Sequence, residues 1–277
     1  MKSELVEGVL VAVRPICHGG DEKTGMETIL RRLKFSTRRG LVEIPYISGN
    51  AIRGKLRRLV MRDFLELVGY QVRNPRLYHA LFAGGVLEEV EEGESGKVDL
   101  ELRRRVRFLI PPISLFGTSI GNQVFQGKLI VGHALPVCEE LQEYLPESLR
   151  EERSIYEFLD FEFATRKEEE AFKESRKDPK EEKVQMIYRF EVFIPGTRFY
   201  HNFKLLETSD VEDSLFLRAL DLWKASPYVG GRESAGFGEI RIDYRIPSSL
   251  EKKRGKYEDF VAERRNEIRM LLGELDV

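Results

Sequence analysis

The chain has 277 residues, of which 42% are hydrophobic and 33% are charged, so it can form one elaborated domain or two small ones around a sizeable core. Its net charge of −2 argues against a uniformly basic nucleic-acid binder, and its two cysteines, Cys17 and Cys138, lie too far apart to suggest a disulfide framework. The charged fraction exceeds the usual ~25%, as it does in many proteins from thermophiles.

The cysteines and the four histidines show no spacing typical of metal ligands, so neither a metal site nor a cofactor is predicted. The first residues, MKSELVEGVL, place acids ahead of any apolar run of signal-peptide length. No apolar run is long enough for a membrane span. We therefore expect a cytoplasmic protein without a membrane partner.

The first predicted element is a buried strand over residues 4–14, which are rich in β-branched side chains. Residues 16–40 contain the pair Gly19-Gly20 and a polar, basic run. They are predicted to form a long connection that becomes ordered on a ligand. His18, just before the glycine pair, could act as a general acid or base because histidine titrates near neutrality, although a loop residue beside a turn is the favoured interpretation.

The most informative stretch is an amphipathic helix that is predicted to begin near Ser48 and to extend to residue 68. Its start, Ser48-Gly49-Asn50, combines a polar cap with a glycine that lets another backbone come close. Free N–H groups at a helix start, with cations on the first turns, make a site for a phosphate. The alternative is an ordinary surface helix with a solvated basic side. The apolar face consists of Ile52, Leu56, Leu59, Val60, Phe64, Leu67 and Val68.

Positive charge is concentrated around this helix. Residues 31–62 contain ten lysines and arginines and one acid, Glu43, a net charge of +9 that leaves −11 for the remaining residues. Contacts to phosphates are local, so this asymmetry favours a polyanion on one surface.

The middle of the chain alternates structured and highly charged segments. Residues 71–106 include a long acidic run and are predicted to form an inserted, surface-facing subdomain. Pro111 and Pro112 exclude a central strand at that point, and a strand is predicted within 125–136. Residues 139–183 are so highly charged that they are expected to project into solvent as a hairpin arm, or to be partly disordered, without filling a core.

One or two strands broken at Pro195-Gly196 are predicted over residues 186–206, followed by a short helix over 214–225. A glycine loop around Arg232 comes next, and its clustered glycines suit a nucleotide or RNA backbone because they expose N–H donors. The loop lacks the Lys-Ser/Thr ending of an NTPase loop and the strand-then-helix context of a dinucleotide site, so both enzyme classes are disfavoured. An amphipathic helix is predicted near the C-terminus.

Four segments, taken in order, resemble the RAMP proteins of CRISPR systems, and in particular the repeated backbone subunit of type III-like or type IV-like effector complexes. They are IPYISGNAIRGKLRRL at 44–59, ISLFGT at 113–118, IPGTRF at 194–199 and GGRESAGFGEI at 230–240. The resemblance implies an α+β fold, a ferredoxin-like (RNA-recognition-motif-like) palm with inserted finger subdomains and a thumb hairpin. It implies a single domain over 1–277 with insertions at about 15–43 (loop), 70–106 (finger or lid) and 150–186 (charged thumb arm), and a C-terminal helix at 250–277.

In such proteins the helix after the P-x-x-x-G-N/S pattern and the glycine loop hold the backbone of the guide RNA, and the thumb wedges between bases. This arrangement agrees with the way proteins hold single-stranded RNA, in a positive groove that leaves sequence recognition to base pairing. Phe163 would lie on the thumb. The residues expected to bind RNA are Gly19, Gly20, Arg31, Arg32, Arg38, Arg39, Ser48, Gly49, Asn50, Arg53, Lys55, Arg57, Thr165, Arg166, Lys167, Gly230, Gly231, Arg232, Gly236 and Gly238.

The function implied is that of a non-catalytic subunit in antiviral defence. It would polymerise along the guide RNA with other copies of itself, contact other CRISPR effector subunits, and present the guide for pairing with target nucleic acid. One alternative is a RAMP endoribonuclease that cuts target RNA or processes the guide precursor. Another is a protein-only scaffold whose basic face binds an acidic partner.

Target-cleaving relatives carry an aspartate in the loop after the first strand, where it assists attack of a ribose hydroxyl. The corresponding part of this chain reads METILRRLKFST, in which Glu27 is the only acid and Arg31 and Arg32 lie near the expected position. Arginine cannot accept a proton at neutral pH, so no RNA cleavage is predicted. Asp21 and His18 are the rival candidates for a catalytic residue.

Overall fold

The computed structural model describes residues 3–24, 27–38, 40–85, 99–121, 123–166 and 186–277, and of residues 21–24, 165–166 and 186–187 it describes the backbone alone. The strands are β1 (Ser3–Ala12), β2 (Gly19–Thr24), β3 (Glu27–Leu30), β4 (Arg32–Thr37), β5 (Gly40–Pro45), β6 (Thr118–Ile120), β7 (Gln123–Phe125), β8 (Leu129–Val131), β9 (Leu135–Pro136), β10 (Leu159–Arg166), β11 (Met186–Phe193), β12 (Arg198–Leu206) and β13 (Ile240–Arg245). The α-helices are α1 (Gly49–Val68), α2 (Pro75–Ala83), α3 (Leu100–Leu109), α4 (Pro111–Phe116), α5 (Asp210–Ala225), α6 (Ser248–Glu251), α7 (Lys256–Glu263) and α8 (Arg265–Leu275).

The main sheet is antiparallel and is built around β1, which confirms the predicted first strand. β1 pairs with β12 on one side and with β13 on the other, and β8 and β9 pair with the far side of β12. The strand order is therefore β13-β1-β12-β8. In chain order, β1, α1, β8, β12, α5 and β13 form a β-α-β-β-α-β pattern. The fold thus mixes helices with sheets, as predicted.

Helices α1 and α5 pack against each other and share the main core with this sheet. α1 begins at the predicted cap and ends at Gly69, which has a left-handed backbone. α5 begins four residues before the predicted 214, because Ser209 and Glu212 form a capping box at its start. Buried charge also joins the helices, since the carboxylate of Asp63 on α1 accepts hydrogen bonds from Arg218 on α5.

The prediction of a long connection over residues 16–40 is wrong. This segment contains β2, β3, β4 and the start of β5. β3 pairs in parallel with β11 in a second sheet of order β10-β11-β3-β2, and β4 and β5 form a hairpin. The pairing partner of β3 lies about 160 residues further along the chain, and Glu191 of β11 accepts the Leu30 N–H at 2.9 Å. A local pattern cannot reveal a strand that depends on such a distant partner.

Two other expectations differ from the structure, and a third concerns residues that are only partly described. Residues 139–158 do contribute to the core, because Leu141, Leu145, Ile155 and Phe158 are buried in a series of 3-10 turns. The C-terminal segment forms α6, α7 and α8, where one helix was expected. The predicted thumb arm contains the antiparallel pair of β10 and β11. Residues 167–185 and residues 86–98, which include the acidic run, lie outside the described residues.

The described ranges contain neither a membrane-spanning helix nor a cluster of metal-ligating side chains. None of their helices is long and apolar enough to cross a membrane. Nor do the side chains described there include a group of three or more His, Cys, Asp or Glu residues placed to hold a metal ion.

A pair of glycine substitutions tests the close packing of α1 on the sheet. A Cβ at Gly49 would lie 2.5 Å from the carbonyl oxygen of Gly132, whereas a Cβ at Gly273 in α8 would meet nothing within 4 Å. We expect Gly49→Ala to lower the free energy of unfolding by about 2 kcal/mol through overpacking. Gly273→Ala should raise it by about 0.5 kcal/mol, as expected for alanine in a helix. Urea denaturation checks both values, and equal effects would contradict this packing.

Candidate nucleic-acid interface

The start of α1 is capped by side chains from three parts of the chain. The Ser48 hydroxyl accepts from the Ala51 N–H at 3.2 Å. His18 Nε2 accepts from the Ser48 N–H at 3.1 Å, and His133 Nδ1 accepts from the Gly49 N–H at 3.0 Å. The expectation of free N–H groups at this helix start is therefore wrong for Ser48, Gly49 and Ala51, and phosphate binding by Asn50 stays a prediction. Imidazole nitrogens and a hydroxyl already satisfy those three N–H groups.

His18 has a structural partner, which agrees with the preferred interpretation of this residue. Its Nε2 can accept a backbone N–H only as an unprotonated nitrogen, so that nitrogen is not available as a general base while the bond lasts. His133 is held in the same way, and burial lowers its pKa. The cap on α1 thus requires an unprotonated acceptor nitrogen on both histidines.

A third histidine lies beneath this cap and is fully buried. His201 Nε2 is 3.1 Å from the Gly132 carbonyl oxygen, and its Nδ1 is 2.7 Å from the Tyr244 hydroxyl. Burial lowers the pKa of His201 to about 3, and the nearby His133 acts in the same direction. The ring is therefore neutral at physiological pH. It links β12 and β13 to Gly132, whose backbone lies against the start of α1.

Arg53 and Arg57, both expected to bind RNA, turn inward in this structure. A guanidinium nitrogen of Arg53 donates to the Phe116 carbonyl oxygen, and Arg57 Nη2 donates to the carbonyl oxygens of Phe116 at 2.9 Å and Gly117 at 3.0 Å. These carbonyls end helix α4, whose negative pole attracts cations. Burial lowers the pKa of both arginines, that of Arg57 to about 10 with help from Arg53 and Arg58.

This contact also explains why two of the family-like segments occur together. The motif at 44–59 supplies the two guanidinium groups, and the motif at 113–118 supplies the carbonyls that accept from them. The arginines line a cavity of about 500 Å³ together with Asn50 and Gln126. Contact of Arg53 or Arg57 with RNA stays a prediction, and it would have to coexist with these internal hydrogen bonds.

The glycine loop rests on the segment that follows β1. The Gly231 N–H donates to the Cys17 carbonyl and the Gly238 N–H donates to the Pro15 carbonyl, both at 2.8 Å. These two amides are thus used within the chain, contrary to the expectation of free donors around Gly231. A Cβ at Gly230 would lie 2.5 Å from the Cys17 oxygen, and Gly230, Gly236 and Gly238 all have positive φ angles that favour glycine.

Arg232 is the exposed cation of this loop. Its backbone is left-handed, with a φ of 63°, and its guanidinium carbon lies 4.2 Å from the centre of the Phe190 ring. Phe237 meets Phe190 edge to face at 5.4 Å. Burial raises the pKa of the adjacent Cys17 thiol, and Arg232 partly offsets that effect. Arg232 is exposed and interacts with the Cys17 side chain, and within the described residues no carboxylate pairs with it.

Several other predicted cations are paired with acids from distant parts of the sequence. Lys55 Nζ lies 2.9 Å from Glu233 in the glycine loop, and its side chain is only 14% exposed. Arg32 lies 2.6 Å from Glu191 of β11, and Arg38, which is 90% exposed, is 3.8 Å from Glu143. The count of +9 over residues 31–62 therefore overstates the charge that this face presents to a ligand.

The remaining predicted residues are placed with different completeness. Gly19 and Gly20 lie in β2, where Gly19 pairs with Leu30, and the Arg31 N–H donates to the His18 carbonyl at 3.0 Å beside the α1 start. The backbone of Asp21 belongs to β2, a strand where a loop was expected. The side chains of Asp21, Thr165 and Arg166, and the whole of Arg39 and Lys167, lie outside the described residues.

Two arginines near the site, Arg58 and Arg62, were counted in the basic charge of residues 31–62 but were not included among the expected RNA contacts. Both arginines are exposed on α1 and lie four residues apart. Asn50 and Gly54 continue the same spacing toward the helix start, so these four residues form a polar stripe along the helix. The regular spacing was a usable signal. By contrast, nothing in the local sequence marked Phe190 or His133, because their roles depend on segments far away in the chain.

Similarity to known proteins identifies the family of this chain. A family model described as the RAMP superfamily matches residues 36–241, and the chain belongs to that superfamily. Among solved structures, the chain is similar to one from a structure titled "Type IV-B CRISPR Complex", with a TM-score of 0.65 and 21% identity over 88% of this chain and 92% of that chain. At this identity the likeness shows a shared fold. No curated protein matches the sequence.

The buried histidine gives a pH prediction. In the unfolded chain His201 has a pKa near ~6.5, and in the folded chain its pKa is lowered to about 3. The stability that depends on neutral His201 is thus complete above the unfolded pKa and is lost as pH falls toward the folded one. Between about pH 5.5 and 4, where the unfolded ring is almost fully protonated and the folded ring is not, His201→Gln should remove a slope close to ~1.4 kcal/mol per pH unit. Urea denaturation against pH measures this slope.

His79 on α2 provides the control, because its side chain is exposed and lies outside the core. His79→Gln should keep the slope of the parent. An unchanged slope in His201→Gln would contradict the assignment of a neutral buried ring.

Proposed function

We propose that this chain is a guide-RNA-binding backbone subunit of a CRISPR effector ribonucleoprotein. Membership in the RAMP superfamily supports this proposal, as does the fold shared with a chain of a Type IV-B CRISPR complex. We also propose that the palm is ferredoxin-like, since the main sheet has the order β13-β1-β12-β8 in a β-α-β-β-α-β pattern. The partners would be guide RNA, target nucleic acid paired with it, other copies of the chain and other effector subunits.

The observation that carries the proposal is the geometry of Arg232. Its guanidinium carbon lies 4.2 Å from the centre of the Phe190 ring, and its own backbone is left-handed, with a φ of 63°. A guanidinium fixed by stacking loses little further entropy when it binds, and its planar N–H groups match two oxygens of a phosphate. The loop thus provides one preorganised contact for an RNA backbone.

Other exposed groups extend this contact into a surface. Arg58 and Arg62 lie exposed further along α1, and neither has a carboxylate partner within the described part of the chain. Phe163 on β10 is 62% exposed, and it would lie on the thumb that we propose. Cations that follow a backbone, with an aromatic ring available for a base, are the usual components of sites for single-stranded RNA.

We further propose that the subunit does not cut RNA. His18, the candidate for proton transfer, already accepts from the Ser48 N–H at the α1 start. Arg31 and Arg32 stand near the position where cleaving relatives carry aspartate, and Arg32 is engaged by Glu191. The alternative is an endoribonuclease that uses Asp21, and the protein-only scaffold is the other competing function.

RNA binding is tested by substitution of the stacked arginine. Arg232→Ala should weaken binding to single-stranded RNA by about 10-fold at moderate salt, and should reduce the salt slope of binding by about one, as for the loss of one phosphate contact. Arg265→Ala, an exposed arginine of α8, should leave both unchanged. Fluorescence anisotropy at several salt concentrations measures affinity and slope. Equal RNA binding by the two variants would remove the main support for guide-RNA binding by this loop. A parent protein that binds no RNA would favour the protein-only scaffold.

Cleavage is tested in the assembled complex. Complementary RNA with magnesium is added to the complex on its guide, and the products are separated on a denaturing gel. We expect intact target with both the parent and Asp21→Ala, because Arg31 and Arg32, which cannot accept a proton at neutral pH, lie near the position of the aspartate in cleaving relatives. Regularly spaced fragments with the parent that disappear with Asp21→Ala would establish the endoribonuclease instead.

A further inference from the structure

The outer edge of β13 carries backbone groups that face away from the rest of the main sheet. β13 is the last strand on its side of that sheet, and it pairs with β1 alone. Just before β13 begins, the Val13 N–H donates to the Glu239 carbonyl oxygen at 2.8 Å. Hydrogen-bond direction alternates along an antiparallel pair, so the N–H and C=O groups of Ile240, Ile242 and Tyr244 point away from β1.

Within the described residues, the chain uses only the start of this edge. The Ile240 N–H donates to the Pro227 carbonyl oxygen at 2.8 Å. The residues before Pro227 belong to the end of α5 and leave the sheet. No described residue forms a hydrogen bond with the outward N–H or C=O of Ile242 or Tyr244. An open edge of this kind can accept one more strand.

A row of alternating charge lies beside this edge. Arg241, Asp243 and Arg245 are exposed on the face of β13 away from the core, in which Ile240 and Tyr244 are buried. In the described part of the chain none of the three charged residues forms an ion pair. A row of like charges would repel many added strands, whereas this row favours a strand with acid, base and acid at alternate positions.

The free backbone groups and the charge row together specify a polypeptide as the occupant. Ile242 and Tyr244 each offer a donor and an acceptor, and an extended peptide offers both in the same alternation. RNA phosphates can only accept hydrogen bonds, and Asp243 at the centre of the row repels them. The order acid, base, acid is the same in both chain directions, so it suits a parallel or an antiparallel strand.

We propose that β13 binds an extended segment of a partner protein, which adds a strand to the main sheet. The segment carries carboxylates opposite Arg241 and Arg245 and a lysine or arginine opposite Asp243, and its backbone pairs with Ile242 and Tyr244. This surface includes none of the residues that we propose as RNA contacts. The inference therefore does not rest on the proposed function.

Two capped peptides of matched composition test the charge order. The first, Thr-Glu-Val-Lys-Val-Glu-Thr, has acid, base and acid on one face, and the second, Thr-Lys-Val-Glu-Val-Lys-Thr, has these charges exchanged. Three cross-strand pairs should make the first bind at least ~10-fold more tightly. The net charge of the protein, −2, would by itself favour the second peptide. NMR titration measures both affinities, and hydrogen exchange of the Ile242 and Tyr244 amides should slow when the first peptide binds.

A charge exchange on the protein should reverse this preference. In Arg241→Glu with Asp243→Lys, two of the three pairs change sign, and the residues opposite both positions on β1 are valines, so no new ion pair forms within the sheet. Glu263→Lys with Arg265→Glu makes the same exchange at exposed sites where α7 meets α8, and it should keep the preference of the parent. If the exchanged variant does not fold, Asp243→Asn replaces it and should narrow the preference to roughly 5-fold.

Several results would overturn the inference. They are unchanged exchange of the Ile242 and Tyr244 amides at about 1 mM of the first peptide, equal affinity of the parent for both peptides, and an exchanged variant that keeps the parent's preference. Protection of the same amides by single-stranded RNA would assign the edge to RNA and also overturn it. A parent dimer that the charge exchange dissociates would assign the edge to a second copy, with the same consequence. RNA affinity of these variants should equal that of the parent, so the two proposals can fail separately.

Discussion

The rest of the structure depends on the close approach of the α1 start to the backbone that follows β8. Gly49 makes this approach possible, because a side chain there would collide with the Val131 and Gly132 carbonyl oxygens. Once the helix is so close, its first N–H groups are excluded from water and need other acceptors. Ser48, His18 and His133 provide them. The same few residues therefore join β1, α1 and the main sheet, and they fix the direction in which α1 crosses the molecule.

The position of α1 in turn decides what its cations can do. An arginine on the side of the helix that faces α4 is partly buried and must find acceptors, and Arg53 and Arg57 find them in the carbonyls that end α4. Lys55 faces the glycine loop and pairs with Glu233. Only the outer side of the helix leaves cations in solvent. Spatial arrangement, more than the number of charges in the sequence, determines which groups are available to a polyanion.

The sequence predicted much of the fold because its strongest signals are local. The stripe from Ile52 to Val68, the cap at Ser48 and the break at Pro195-Gly196 each specify an element through nearby residues, and the structure confirms all three. The strands within 16–40 were missed because β3 is stabilised by β11, far away in the chain. The helix cap was misjudged for a similar reason: no local pattern shows that His18 and His133 converge on one helix start.

The same distinction applies to the candidate site. The need for glycine at 230, 236 and 238 could be predicted, since dense glycines indicate left-handed turns or close approach, and these positions have positive φ. The partner of the loop could not be predicted, because the Pro15 and Cys17 carbonyls that receive its N–H groups belong to the other end of the chain. With those two amides already used, the exposed cation that the loop presents is Arg232, which lies over the Phe190 ring. Under the proposed function, affinity for RNA therefore depends on stacking between two segments about 40 residues apart. Removal of the Phe190 ring or of the Arg232 guanidinium should alter RNA binding while the glycine turns remain intact.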